Sequence, residues 1–177
     1  MLSEQVPIPG NDMTGAEAEL LSLLYALVVY CRPHLIVEAG TYRGLGAVAM
    51  ATAVRDHNMR AHVWTADVRD YGQAARMREH GVEHLVTCCQ CDFTEMLTRL
   101  PRVPDFAFVD SGAVVDEDGT LTNTEPALRL RHFQSLTLAP GGLIAVDDTA
   151  SEWPGRDEIV KHGLTLPVGR GVTLVRR

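Results

Sequence analysis

The chain has 177 residues, 46% of them apolar, with a formal net charge of −7 and a pI near 5.4. That length suits one domain with a core large enough to need no disulfide or metal staple, and the acidic balance argues against nucleic acid as a partner, because phosphate binding leaves a basic footprint. No apolar run approaches the ~18 residues of a membrane span, and the N-terminus lacks the basic lead of a signal peptide. A cytoplasmic protein with no membrane partner is expected. Of the four cysteines, Cys88, Cys89 and Cys91 sit too close together for a disulfide framework and read, with Cys31, as reduced thiols. Cys88 and Cys91 have C-x-x-C spacing, but no second pair follows to complete a zinc site.

Residues 1–13, with Pro7, Pro9, Gly10 and Asn11, read as an irregular arm. Thr14 and Glu17 make a T-x-x-E capping box opening a helix over 15–31, which Pro33 ends. The apolar run His34 to Ala39 is a buried strand, and the Ala-rich stretch from Leu45 to Val54 is the helix behind it. The alternation repeats with a strand at 62–68, a helix at 71–80 capped by Gly81, a strand at 84–89, a short helix capped by Asp92 and Glu95, and a strand at 104–110. Residues 111–123 are expected to form a polar loop, and Pro126 to open a helix running to Leu138. Pro140-Gly141-Gly142 turns the chain into a strand at 143–148. A helix at 156–162 follows, then two strands joined through Gly169-Arg170-Gly171. Strand–helix alternation of this kind predicts an α/β fold over residues 1–177: a Rossmann-like three-layer sandwich whose mostly parallel sheet finishes in a C-terminal antiparallel hairpin.

Ligands of such sheets bind beyond the carboxyl ends of the strands. The first strand ends in Glu38-Ala39-Gly40-Thr41-Tyr42-Arg43-Gly44-Leu45-Gly46. The spacing is E-x-G-x-x-x-G-x-G rather than the G-x-G-x-x-G of a dinucleotide fold, and Glu38 opposes a pyrophosphate while suiting a cationic ligand. S-adenosylmethionine carries an ammonium and a sulfonium and no phosphate. Asp67, at the end of the second strand, is placed to accept both ribose hydroxyls; Asp92, after the third, is placed to meet the adenine.

VEAGTYRGLG resembles motif I of the class I S-adenosylmethionine-dependent methyltransferases, and among them the catechol-type O-methyltransferases, whose turn reads E-x-G-x-Y-x-G; the sugar and antibiotic O-methyltransferases look at least as similar. TADV resembles their ribose-binding motif, PDFAFVD their fourth strand and PGGLIAVDD their fifth strand with its metal-binding acids. The resemblance spans about residues 14–177. It implies a seven-stranded sheet with the last strand antiparallel, and a cofactor site drawn from Glu38, Gly40, Tyr42, Gly44, Asp67, Asp92 and Asp110.

Asp110 ends the fourth strand, and Asp147 and Asp148 the fifth, so in a parallel sheet three carboxylates converge. Like charges so close raise one another's pKa unless a cation is bound, and carboxylate ligands suit Mg²⁺. The resemblance implies the same: these three acids hold Mg²⁺, which holds the acceptor hydroxyl of a small molecule. The chain departs from the family pattern after Asp110, where Ser111-Gly112-Ala113 supplies neither the lysine of catechol enzymes nor the histidine of some sugar enzymes. The acidic run Asp116-Glu117-Asp118 reads as a solvated loop and His132 as a structural residue. The acceptor pocket is expected from residues 1–14, 111–123 and 149–156, with Trp153 a candidate wall, or from a second subunit in a homodimer. The alternatives are a metal-independent methyltransferase acting on another atom, a catalytically silent S-adenosylmethionine-binding module, and, more distantly, an NAD-dependent oxidoreductase.

Overall fold

A computed structural model describes residues 18–115 and 121–177. The N-terminal arm, the capping-box residues Thr14 and Glu17, and the acidic run 116–118 lie outside these residues. In α1 (Ala18–Cys31), Leu20, Leu21, Leu24 and Val28 fall on one face and are buried. β1 (Leu35–Ala39) is buried at every position, as a strand covered on both faces must be. α2 (Leu45–Asp56) is buried at every residue from Leu45 to Val54, because it lies between α1 and the sheet, and its many alanines allow close approach on both sides.

The chain continues through β2 (His62–Asp67), α3 (Gln73–Glu79), β3 (Val86–Gln90), α4 (Phe93–Leu97) and β4 (Phe106–Val109). After a small hairpin of β5 (Ala113–Val115) and β6 (Leu121–Thr124) come α5 (Pro126–Ser135), β7 (Leu143–Val146), α6 (Arg156–Val160), β8 (Leu164–Leu166) and β9 (Val172–Arg176). Seven strands form one sheet in the order β3-β2-β1-β4-β7-β9-β8. The first five in that order are parallel, and β9 runs antiparallel to both β7 and β8. The chain direction across the sheet reverses between β1 and β4, which is where open α/β sheets bind ligands. This is the expected Rossmann-like architecture.

Alternate strand residues feed two cores. Ile36, Phe106 and Phe108 face α1, α2 and Met77 of α3, whereas Val37, Ala107, Val109, Ile144 and Val146 face Phe93 and Met96 of α4, Phe133 of α5 and Ile159 of α6.

Several boundaries differ from expectation, three of them for reasons visible in the structure. Residues 111–123 are not a plain loop: β5 and β6 pair antiparallel, with Ala113 opposite Thr124 and Val114 opposite Asn123. The β-branched residues at 114, 115, 122 and 124 carry a strand preference that the polar look of the segment hides. The helix expected to reach Leu138 stops at Ser135, because Leu136 takes an extended backbone and packs into the second core. The strand expected from His84 begins at Val86, after a 3-10 turn over Glu83–Leu85. Among the described residues, no helix is long and apolar enough to cross a membrane.

Candidate functional site

Glu38 is the one acid inside β1, with an exposure of 1%. Its Oε2 accepts a hydrogen bond from Thr65 Oγ1 at 2.5 Å, and Thr65 in turn shares a 2.5 Å contact with Thr41 Oγ1. Burial pushes the Glu38 pKa up to about 8; the Thr65 bond opposes this, and the charges of Asp110 and Asp67 add to it. The turn beyond it needs its first glycine. Gly40 has φ +90°, and a Cβ there would sit 2.2 Å from the Asp110 carbonyl oxygen, so β1 and β4 meet this closely only without one.

Asp67 closes the same turn. Its carboxylate accepts from Tyr42 N at 2.8 Å and from Arg69 N at 3.1 Å, and these bonds oppose the rise in pKa that burial causes. Tyr42 itself has φ +45°, and its ring meets that of Tyr71 edge-on at 4.9 Å. Asp92 caps α4 through Thr94 N at 2.8 Å and pairs with Arg131 at 2.9 Å. Burial raises its pKa, but the Thr94 bonds and the nearby His132 and Arg131 leave it below the ordinary value.

These elements enclose a cavity of about 310 Å³. Glu38, Gly40, Tyr42, Asp67, Asp92, Asp110 and Asp148 line it. Two expected residues stand behind the wall. Gly44 opens α2 at φ +85°, with its Cα face turned to Met77, and Asp147 is buried at the end of β7. Trp153 is also outside the cavity wall: its Nε1 donates to the Asp148 carbonyl at 3.0 Å.

Asp110, Asp147 and Asp148 each offer an oxygen within 4.8 Å of the others, so the convergence inferred from topology is present. Burial and its acidic neighbours Asp110 and Asp148 push the Asp147 pKa up; burial does the same for Asp110, against the pull of Arg129. Asp148 holds φ +61°, a left-handed backbone unusual for a residue with a side chain.

Sequence reasoning missed the two cations on this cluster. Arg129 of α5, its side chain only 7% exposed, reaches Asp148 Oδ2 at 2.9 Å and Asp110 Oδ1 at 3.5 Å, and lies 5.5 Å from the Trp153 ring centre. Arg170 Nε lies 2.7 Å from Asp148 Oδ1, and its Nη2 3.8 Å from Asp147 Oδ2. The glycines beside Arg170, at the ligand-facing edge, were the available signal. His132, expected to be structural, is buried in the cavity wall, bonded to Ser111 Oγ through Nδ1 at 2.7 Å, with Nε2 3.6 Å from Asp92.

A family described as "Methyltransferase domain" matches residues 37–149, from within β1 to just past the second acid of the β7 end. The chain belongs to this methyltransferase family. No curated protein matches it. Among solved structures, an SAH-bound methyltransferase of Podospora anserina superposes with a TM-score of 0.69 at 21% identity, covering 93% of this chain and 80% of that one. The O-methyltransferase TomG of Streptomyces achromogenes, in complex with SAM, gives 0.69 at 20% identity, with 91% and 80% covered. An O-methyltransferase of Bacillus cereus in complex with SAH gives 0.66 at 15%, with 93% and 83% covered. At these identities the likeness concerns the methyltransferase fold.

Proposed function

We propose that this methyltransferase moves the methyl group of S-adenosylmethionine to a hydroxyl of a small molecule, at a site where Asp110, Asp147 and Asp148 hold Mg²⁺. The observation that carries the reading is one cavity with cofactor-type acids along its wall, two of which, Asp110 and Asp148, form a three-carboxylate cluster with the buried Asp147 behind it. The solved O-methyltransferases of similar fold support the choice of oxygen as acceptor, and the net charge of −7 supports a small molecule over nucleic acid.

In this reading Glu38 and the Gly40 turn receive the ammonium end of the cofactor, Asp67 the ribose hydroxyls, and Asp92 the adenine. Tyr42 and Gly44 shape the turn between them. The methyl carbon then faces Asp110 and Asp148. Methyl transfer breaks the S–CH₃ bond and forms an O–CH₃ bond in line, leaving neutral S-adenosylhomocysteine, while the acceptor's O–H bond breaks and its proton is released to solvent. Positioning by the rigid strand ends supplies much of the rate.

The donor set fits a hard divalent cation. The ligands are all carboxylates, and the Oδ1 atoms of Asp147 and Asp148 are buried and accept no hydrogen bond among the described residues. When bound, the cation lowers the pKa of the acceptor hydroxyl and fixes its oxygen. The test is methyl transfer from labelled S-adenosylmethionine to a panel of phenolic and sugar hydroxyls, with and without EDTA. Transfer unchanged by EDTA removes the metal; cofactor binding with no transfer to any acceptor favours a silent binding module.

A further inference from the structure

The acid cluster is not bare. Its charge is already met from within the chain, and the two guanidiniums that meet it are held very differently. Arg129 is buried, stacked near Trp153 and anchored in α5, with Trp153 itself tied to the Asp148 carbonyl. Arg170 is 54% exposed. Its backbone is pinned: Ala150 N donates to the Arg170 carbonyl and Thr149 N to the Gly171 carbonyl, both at 2.9 Å. Gly171, at φ +91°, admits no Cβ, since one would sit 2.5 Å from Ala150 N. The turn is therefore fixed, and the side chain reaches the acids from a half-exposed position.

Arg170 approaches one of the two oxygens left open to the cation, Asp148 Oδ1, and meets the other carboxylate at Asp147 Oδ2. Its Nε faces Asp148 Oδ1 at 2.7 Å, yet that oxygen accepts no aligned hydrogen bond, so the contact is an ion pair by distance without a directional N–H bond behind it. The Nη2 contact to Asp147, at 3.8 Å, is looser still. On the arginine side the pair is open to water, so solvent and side-chain entropy oppose it there, although the carboxylates themselves are buried.

Resting on the metal reading above, we infer that Arg170 is a displaceable counter-ion: it occupies Asp147 and Asp148 when the divalent cation is absent and is expelled when the cation binds. Arg129 stays in place in both states. The site thus has an arginine-compensated form and a cation-loaded form, and the affinity for metal is set in part by competition with residue 170.

The experiment is Mn²⁺ binding to the full chain, followed by the electron paramagnetic resonance signal of free Mn²⁺, for wild type, Arg170→Gln and Arg43→Gln. Arg43 lies on the same cavity, over the Tyr42 ring, so its replacement controls for loss of local positive charge. Thermal melts check that each variant is folded. The expected result is Mn²⁺ binding at least about three-fold tighter in Arg170→Gln than in wild type, the scale set by an exposed ion pair, with Arg43→Gln close to wild type. Equal affinity in wild type and Arg170→Gln overturns the counter-ion role and leaves the metal site standing, as does equal tightening by both variants. Absence of Mn²⁺ binding in all three proteins overturns the metal reading, and the counter-ion role with it.

Discussion

Gly46 faces Glu38 so closely that a Cβ at position 46 would lie 2.2 Å from Glu38 Oε1. The carboxyl has little room to retreat: its other oxygen is held by Thr65, and a ring carbon of Phe108 stands 3.3 Å from the same Cβ position. Gly46→Ala should therefore destabilise the fold by about 1–3 kcal/mol, the range of overpacked cores, and weaken S-adenosylmethionine binding in step. A thermal melt and a calorimetric titration read the two effects. An unchanged melt would mean that the Glu38 side chain moves aside freely.

Glu38 should also make cofactor binding proton-linked. Its folded pKa of about 8 stands above the ordinary 4.5. The fold therefore binds a proton there that the unfolded chain releases. The stability tied to this group is complete below the ordinary value and is lost as pH rises through about 8. Glu38→Gln should flatten that slope. A cationic ammonium beside Glu38 favours its ionised form, so titration at neutral pH should release up to about one proton. Calorimetry in buffers of differing ionisation enthalpy measures this; no dependence on the buffer contradicts the placement of the ammonium.

Asp67→Ala is expected to weaken the cofactor by roughly 1.5–3 kcal/mol, the loss of hydrogen bonds to a charged group. The structure adds a second effect, because Tyr42 N and Arg69 N lose their acceptor. A lower melting temperature should accompany the weaker binding, and Asp67→Asn, which keeps one oxygen, should recover part of both.

Asp147→Asn should move two quantities in opposite directions. Burial, then Asp110 and Asp148, make the ionised form of Asp147 costly, so an amide should stabilise the metal-free protein by on the order of 1 kcal/mol. The gain should be largest at alkaline pH, where wild type must ionise this group. Mn²⁺ binding should fall at the same time. A melt that drops with the substitution contradicts the electrostatic account of the cluster.

Cys88 is exposed, but burial of its sulfur, followed by the charge of Glu38, pushes its pKa to about 11. Alkylation at neutral pH should be slower than for a free thiol in solution, since the thiolate is the reacting form. A rapid stoichiometric reaction assigned to Cys88 by mass spectrometry counts against it.

The strands and the acids at their ends were legible in the sequence because both are local: apolar runs announce buried strands, Glu38 stands one residue before the end of its strand, and Asp67, Asp110 and Asp147 stand at or just after the last residues of theirs. The partners of those acids were not. Arg129 is nineteen positions from both Asp110 and Asp148, and no periodicity links them. His132 gives no sign in sequence of its bond to Ser111, which depends on how α5 docks beside β4. The hairpin of β5 and β6 was hidden for another reason: glycine, asparagine and acids around it suggest a loop, while Val114, Val115 and Thr124 take paired positions across the two strands.

The antiparallel entry of β9 between β7 and β8 has a consequence for chain economy. Each parallel neighbour in a sheet requires a crossover of a dozen or more residues before another loop can arrive at the binding edge. Because β8 runs parallel to β7 and β9 returns beside it, the connection 167–171 reaches that edge directly, with no helix behind it. A cation is thereby brought to the acids of β7 by a tight turn whose length is free of any helix-packing constraint, and the hand of one strand decides which end of the sheet receives it.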